Sequence, residues 1–232
     1  MTPSLSVRRS PGSGRPVVFL HGLASSGFQD WPDAAWRDAL AGRPRVVVDL
    51  PAHGASPGLG AAPTSVVVRA LADAVGEEPF DLVGYSLGAR LAWDLAQHPD
   101  VRVRRLVLGG LAPGEPFAHV DLAAARAALA GGVAPADPLS AMIVHMASLP
   151  GNRPEELLDL IEGLAAEPFD PAAGVPAQPT LLLGGVDDGM VAGLPELLAL
   201  LPDARAVRVP GDHLAALHAA EFRAAVTEFL AD

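Results

Sequence analysis

A serine lies between two glycines in the segment Gly84-Tyr85-Ser86-Leu87-Gly88, a Gly-x-Ser-x-Gly pattern. An apolar run typical of a strand precedes it, and a run typical of a helix follows it. A serine on such a sharp turn is held in strained backbone geometry, where flanking side chains would collide with neighbouring backbone, so glycines are needed on both sides. The following helix directs its first N–H groups at developing negative charge. The pattern therefore predicts that Ser86 is a nucleophile.

A serine hydroxyl is a weak nucleophile and needs a base that is itself oriented by an acid. Two carboxylates, Asp187 and Asp188, follow an apolar run at residues 180–183. His213 follows the next apolar run, at residues 206–209. The order Ser, Asp, His is one of those in which catalytic triads occur along a chain. We therefore expect His213 to be the general base and one of the two aspartates to be the acid.

Short apolar runs bounded by Gly or Pro alternate with helical patterns along most of the chain. Near-continuous apolar runs are typical of strands in a sheet that is covered on both faces. The runs lie at residues 16–20, 45–49, 80–83, 103–108, 180–183 and 206–209. The helical patterns lie at about residues 31–41, 63–75, 87–97, 190–201 and 218–230. This alternation predicts a mainly parallel sheet, whose carboxyl edge would bring the serine, an aspartate and the histidine together.

The alternation is interrupted between two of the predicted strands. The interrupting stretch is rich in Ala and Pro and has no strand pattern. Its helical pieces lie at residues 121–130, 138–149 and 154–166. We interpret the stretch as a helical cap on the sheet. The predicted division is a core of residues 1–112 and 176–232 and a cap of residues 113–175.

Composition limits the classes of function. The chain has 232 residues, half of them hydrophobic, no cysteine and a formal net charge of −11. The charge argues against a nucleic acid or an anionic membrane surface as partner. The lack of cysteine excludes a thiolate nucleophile and disulfides. No run approaches the roughly 18 apolar residues that cross a bilayer, and no secretory signal is visible, so we expect a cytoplasmic protein that acts on a small molecule.

Two further segments accompany the serine motif. Residues 19–23, Phe-Leu-His-Gly-Leu, resemble a His-Gly oxyanion loop. Residues 49–56 resemble a D-x-P-G-H-G-x-S stretch in which Ala52 replaces the usual glycine. With these motifs in this order, the chain resembles the α/β-hydrolase superfamily over nearly its whole length, in its esterase- and thioesterase-like serine hydrolase branch. The resemblance implies an α/β fold with a mostly parallel central sheet, flanking helices and a small helical cap.

The resemblance also implies the roles of a catalytic triad. Ser86 would attack the carbonyl carbon, and His213 would take the serine proton and later give it to the leaving group. Asp188 is the preferred acid, because the family's usual loop has the acid three positions after a glycine, as Asp188 is after Gly185. Asp187 is the alternative acid.

The backbone N–H groups of Leu23 and Leu87 would form the oxyanion hole implied by the resemblance. His21 is expected to brace this loop by hydrogen bonding, and His21 and Gly22 are candidates for contact with substrate. None of the seven histidines shows convincing metal-ligand spacing with a carboxylate. We therefore expect neither a metal nor a cofactor.

Three larger side chains near these motifs are further candidates for contact with substrate. Tyr85 occupies the variable position of the serine motif, and Trp31 follows the oxyanion loop, so both are candidates for a pocket wall. Arg90 lies four residues after Ser86, which would place both on about the same face of a helix. An arginine is by default structural at this position, but it could instead hold a substrate carboxylate in a bidentate contact.

The preferred function is hydrolysis of a carboxylic ester or thioester with a small to medium apolar acyl group, through an acyl-enzyme, as in a carboxylesterase. A complete set of triad residues and a cap with few charges favour it. A third hypothesis is a binding module that retains the scaffold. Loss of a triad residue would favour it, and none is lost.

The alternative enzyme function is that of a C–O lyase. Residues 84–90 are similar to the corresponding motif of the lyases of menaquinone synthesis that expel pyruvate. This resemblance implies that Arg90 binds a substrate carboxylate, with assistance from Arg126 and Arg153. The usual Gly-Gly-x-Pro-Gly-Leu of those lyases is altered in residues 109–114. A pocket lined by several arginines would favour the lyase, and an apolar pocket would favour the hydrolase.

Overall fold

The computed structural model describes residues 4–231, so residues 1–3 and 232 of the predicted core lie outside the described range. The strands are β1 (Val7–Ser10), β2 (Val17–Leu20), β3 (Arg45–Val48), β4 (Phe80–Tyr85), β5 (Val103–Gly109), β6 (Thr180–Gly185) and β7 (Ala204–Val209). They form one sheet in the order β1-β3-β2-β4-β5-β6-β7. β1 pairs antiparallel with β3, and the other neighbouring pairs are parallel. The predicted α/β fold with a mostly parallel central sheet is confirmed.

Helices connect the parallel strands, as crossover connections require. They are α1 (Gly27–Asp30), α2 (Asp33–Ala39), α3 (Thr64–Val75), α4 (Leu87–Leu95), α5 (Leu122–Leu129), α6 (Pro138–Ala147), α7 (Pro154–Ala166), α8 (Leu194–Leu200), α9 (His213–His218) and α10 (Ala220–Ala231). Short 3-10 turns lie at Phe117–His119 and Gly189–Val191. Within residues 4–231 no helix combines the length and the apolar character needed to cross a membrane.

The sheet has a hydrophobic core on each face because successive residues of a strand point to opposite sides. In β2, Val17 and Phe19 pack into one core with Trp36 of α2 and Phe222 of α10. Val18 and Leu20 belong to the other core, with helices α3 and α4. Because both faces are covered, β2, β3, β4 and β6 are buried along their whole length rather than at alternate positions.

Helices α5, α6 and α7 lie between β5 and β6 in the chain, within the stretch that we propose as a cap. Their starts follow local sequence signals. Asp121 and Asp137 cap α5 and α6 by accepting hydrogen bonds from the backbone N–H groups of Ala124 and Ser140. Proline occupies the first position of both α6 and α7, where its missing N–H costs nothing. These helices lie within a few residues of the pieces expected from the sequence.

Candidate active site

Ser86 lies at the turn between β4 and α4 with φ 52° and ψ −117°, a strained conformation for a residue with a side chain. The flanking glycines make this turn possible. A Cβ atom at Gly84 would lie 2.4 Å from the Gly88 carbonyl oxygen, and one at Gly88 would lie 2.3 Å from the Leu20 carbonyl oxygen. The spacing in the sequence motif is therefore explained by two backbone contacts that leave no room for a side chain.

His213 lies between Ser86 and Asp188. Its Nε2 atom is 3.0 Å from the Ser86 Oγ atom, and its Nδ1 atom is 2.8 Å from the Asp188 Oδ2 atom. An Nδ1–H group that donates to the carboxylate leaves Nε2 free to accept the serine proton. The side chain of Asp188 is buried, whereas that of His213 is 23% exposed, so the base can reach substrate and the acid cannot. This is the geometry that nucleophilic catalysis by serine requires.

Asp188 is held in place by a second hydrogen bond, because its Oδ1 atom accepts from the backbone N–H of Met190 at 2.9 Å. Asp187, the alternative acid, has an exposed side chain, and the His213 Nδ1 atom is hydrogen-bonded to Asp188 instead. Its backbone N–H donates to the Gly211 carbonyl oxygen at 3.1 Å and thereby joins the loop after β6 to the loop after β7.

His213 was expected in a loop, but it is the first residue of α9. Asp212 caps this helix, since its side chain accepts hydrogen bonds from the N–H groups of Leu214 and Ala215 at 3.0 and 2.9 Å. The end of β5 leaves space for the imidazole: a Cβ atom at Gly110, which has φ +62°, would lie 2.9 Å from His213 Cε1. A capped helix and a glycine therefore fix the position of the base.

His21 orients the peptide group that we expect to supply one oxyanion donor. Its Nδ1–H donates to the Gly22 carbonyl oxygen at 2.7 Å, and its Nε2 accepts from the Leu50 N–H at 2.9 Å. In a trans peptide the C=O and N–H groups point in opposite directions, so this bond turns the Leu23 N–H away from His21. Burial lowers the pKa of His21, which keeps the ring in the neutral form that these two bonds need.

The residue after Leu23 is held by a second buried histidine. The Ala24 N–H donates to His53 Nε2 at 2.9 Å, and His53 Nδ1–H donates to the Pro51 carbonyl oxygen at 2.8 Å. Burial, followed by the neighbouring His21, lowers the pKa of His53 to about 3, so His53 is neutral. Ala52, which replaces the family's usual glycine, adopts φ 66°, where alanine is strained and glycine is not. The two buried histidines thus hold the loop through hydrogen bonds to its backbone.

The N–H groups of Leu23 and Leu87 have no hydrogen-bond acceptor within residues 4–231. Both residues line a cavity of about 590 Å³ that opens beside Ser86. Two free N–H donors in the lining of a cavity that also contains the serine are what stabilisation of a tetrahedral oxyanion requires.

The cavity is mainly apolar. Helix α6 supplies much of its wall, through Leu139, Met142, Ile143 and Met146. Asn152, which the sequence did not single out, joins this helix to the oxyanion loop: its Nδ2 donates to the carbonyl oxygens of Ala24 and Met146 at 3.2 and 2.9 Å.

Arg90 lines the cavity, but its charge is already paired. Its Nε and Nη2 atoms lie 2.6 and 2.5 Å from the Glu115 Oε2 atom, and both side chains are 4% exposed. Nη2 also donates to Thr64 Oγ1 at 3.0 Å and to the Glu167 carbonyl oxygen at 3.3 Å. Since Glu115 and Glu167 border the cap helices in the chain, Arg90 fastens both ends of the proposed cap to the helix that begins after Ser86.

Of the other residues predicted to contact substrate, some line the cavity and some do not. Gly22 and Tyr85 line the cavity, and the Tyr85 hydroxyl donates to the His213 carbonyl oxygen at 2.6 Å. Trp31 does not line it, and neither does His21. The expectation for Trp31 was wrong because the indole is buried in the core, with its ring centroid 4.9 Å from that of Phe19.

Asp30 is a polar wall residue that sequence reasoning missed. It is 8% exposed, and its Oδ2 atom accepts a hydrogen bond from the Gly22 N–H at 2.8 Å. Ser25 Oγ donates to its other oxygen. Nothing in the sequence marks Asp30, because it stands in a segment with no motif and its position depends on the short helix α1.

The family model for the alpha/beta hydrolase fold matches residues 15–133. The chain belongs to this enzyme superfamily. The recognised family is thus confirmed, and the strands and helices described above are those of an alpha/beta hydrolase.

One curated relative of this alpha/beta hydrolase is the 2-succinyl-6-hydroxy-2,4-cyclohexadiene-1-carboxylate synthase of Klebsiella pneumoniae. The two are 33% identical over 101 residues, which are 42% of this chain and 39% of the relative. The chain therefore matches about two fifths of the length of this relative.

Solved structures share the fold along almost the whole chain. A hydrolase from Pseudomonas aeruginosa has a TM-score of 0.75 at 24% identity, covering 98% of this chain and 94% of its own. MenH from S. aureus has a TM-score of 0.75 at 20% identity, covering 100% of this chain and 98% of its own. Since a protein described as a hydrolase and one described as MenH match equally well, the overall fold does not distinguish between reactions.

Proposed function

We propose that this alpha/beta hydrolase cleaves a carboxylic ester or thioester of an apolar acyl group through an acyl-enzyme on Ser86. The observation that carries the proposal is the apolar cavity of about 590 Å³ that opens directly on a hydrogen-bonded Ser86–His213–Asp188 chain. An apolar cavity with a few convergent polar groups is typical of a site for a small, mainly apolar molecule.

In the first half of the reaction the Ser86 oxygen attacks the carbonyl carbon while His213 Nε2 takes the hydroxyl proton. The Asp188 carboxylate stabilises the imidazolium that forms. The negative charge on the carbonyl oxygen is stabilised by the N–H groups of Leu23 and Leu87, and one such donor is worth roughly 3 kcal/mol. Collapse of the tetrahedral intermediate breaks the bond to the leaving group, which receives the proton from His213.

In the second half water replaces the leaving group. His213 takes a proton from water, whose oxygen attacks the acyl carbon. The ester bond to Ser86 then breaks, His213 returns the proton to the Ser86 oxygen, and the carboxylic acid leaves. The acyl chain occupies the apolar cavity throughout, so its burial should stabilise both transition states. Each methylene that enters the cavity contributes about 0.8 kcal/mol at most.

The proposal is tested with p-nitrophenyl esters of increasing acyl length, using wild type, Ser86→Ala and His213→Ala. We expect kcat/KM to rise with chain length until the cavity is filled, and each triad variant to lose several orders of magnitude in kcat. His119→Ala is a matched control because His119 has an exposed side chain that does not line the cavity. A wild type that is inert towards the whole series would contradict the proposal.

A second candidate function is elimination of pyruvate, as in the lyases that the motifs resemble. The name of the K. pneumoniae relative favours it over ester hydrolysis. The three arginines argue against it. Arg90 is the only arginine in the described cavity lining and is paired with Glu115. Arg126 and Arg153 do not line the cavity and are paired with acidic residues of α7.

The test offers the enzyme the succinyl-cyclohexadiene intermediate from which those lyases expel pyruvate. Pyruvate release is measured with a coupled lactate dehydrogenase assay. We expect no release above the uncatalysed rate, since no unpaired arginine lines the described cavity to hold the substrate carboxylates. Rapid release that Ser86→Ala abolishes, together with inert esters, would establish the second candidate instead of the first.

A further inference from the structure

Some of the charged side chains in the cavity wall have an ion-pair partner and others do not. The acidic and basic side chains of its wall are Asp30, Arg90, His145, His213 and His218. Arg90 is paired with Glu115, and His213 with Asp188. Asp30 accepts hydrogen bonds from the Gly22 N–H and the Ser25 hydroxyl but forms no ion pair within residues 4–231. The wall therefore carries one carboxylate that no cation neutralises.

This carboxylate lies close to the nucleophile. A Cβ atom added to Gly22 would lie 3.5 Å from Asp30 Oδ2 and 3.6 Å from Ser86 Cβ, so these two atoms are at most about 7 Å apart. An acyl group bound to Ser86 must enter this neighbourhood. Asp30 is 8% exposed, so little water can screen its charge there.

We propose that Asp30 makes the site select against acyl groups that carry a negative charge, and so restricts the substrates to neutral acyl groups. This proposal rests on the proposed function and names its substrate class. An acyl group with a carboxylate would lose hydration in an apolar cavity whose one arginine, Arg90, is already ion-paired with Glu115. It would also be repelled by Asp30, because like charges repel each other more strongly in a poorly hydrated cavity than in bulk water.

The test compares two substrates that differ in charge and little else: the mono-p-nitrophenyl ester of glutarate and its methyl ester. For each enzyme, kcat/KM for the neutral substrate is divided by kcat/KM for the anionic one. We expect Asp30→Asn to lower this ratio by about tenfold or more, since one like charge is removed from a poorly screened site. Asp38→Asn, which removes an exposed carboxylate from α2, should leave the ratio unchanged.

The ratio is independent of the fraction of folded enzyme, so a partly misfolded Asp30→Asn variant remains informative. Loss of the hydrogen bond to the Gly22 N–H would slow both substrates and leave their ratio unaffected. A ratio that stays within twofold of the wild-type value in Asp30→Asn would overturn the proposal.

The assay separates this proposal from the proposed function. If no ester is turned over, the proposed function fails, and the same ratio is then measured from the rates at which Ser86 is labelled by a neutral alkyl fluorophosphonate and by a carboxylate-bearing analogue. A lower ratio in Asp30→Asn would still support the role of Asp30. If Ser86 reacts with neither compound in the wild type, both proposals are overturned.

Discussion

The carboxyl edge of the sheet and the cavity next to it are built in opposite ways. At the edge, four side chains each form hydrogen bonds through both of their polar atoms. They are His21, His53, Asp188 and His213. The cavity wall from α6 consists mainly of apolar side chains that only packing positions. The edge therefore specifies a chemistry through directional bonds, whereas the cavity selects a substrate by shape and by the few charges on its wall.

The catalytic role of the sheet edge is tested most sharply by comparing the activities of variants at two adjacent carboxylates, Asp188 and Asp187. Asp188→Asn should lower kcat by about 10³- to 10⁴-fold, because the amide cannot stabilise the imidazolium or hold the correct tautomer. Asp187→Asn is the matched control and should retain nearly full activity, since the Asp187 side chain is exposed. The measurement is kcat with the best p-nitrophenyl ester for both variants. Equal losses of kcat in the two variants would mean that activity depends on the loop as a whole and not on the hydrogen bond between Asp188 and His213.

The cavity should respond in a different way, by changing preference rather than rate. Met146→Ala removes side-chain volume from the wall and should shift the preferred acyl chain towards longer esters, with a loss of about tenfold for the ester that wild type prefers. Met146→Leu conserves volume and should keep the wild-type preference. The profile of kcat/KM against acyl length measures both. A uniform fall across all lengths in Met146→Ala would contradict a role of this wall in selection.

A smaller effect, on stability, is expected at Asp94 of α4, which lies near Arg90. Burial raises the pKa of Asp94 to about 6, and Glu167 and Glu115 add to this although Arg90 opposes it. The folded protein thus binds more protons than the unfolded chain between about pH 4 and 6, so this group lowers stability as the pH rises through that range. Asp94→Asn should therefore raise the free energy of unfolding at pH 8 by about 1 kcal/mol relative to its effect at pH 4.

Urea denaturation of wild type and Asp94→Asn at the two pH values measures this difference. Asp73→Asn serves as control, because Asp73 is an exposed carboxylate on the neighbouring helix α3. The stability difference between Asp94→Asn and wild type should be larger at pH 8 than at pH 4. The opposite trend would mean that the Arg90 charge outweighs burial.

The same contrast explains what could be predicted from the sequence. The sheet and its helices follow from local patterns, such as the apolar β2 and the proline at the start of α7. The turn at Ser86 is encoded by two neighbouring glycines, so the motif alone predicts its geometry. The resemblance to a known family supplied the preference for Asp188, which the residues alone left open.

Features that depend on packing between distant segments could not be read in this way. Trp31 was expected at a pocket wall, but its position in the core is decided by Phe19 and Trp36, which surround it in space. Asp30 has no motif, and its place beside the nucleophile depends on a helix of four residues. The pairing of Arg90 with Glu115 joins residues 25 apart, so the sequence could not decide between a structural and a substrate-binding arginine.

The central claim, an acyl-enzyme on Ser86 with its acyl chain in the apolar cavity, is tested most directly by trapping the intermediate. Wild type is mixed with an excess of a medium-chain p-nitrophenyl ester, quenched in acid within milliseconds to seconds, and analysed by intact mass and peptide mapping. We predict a mass increase equal to the acyl group, located on Ser86 and missing in Ser86→Ala. Turnover without acylation of Ser86, or acylation at another residue, would contradict the account.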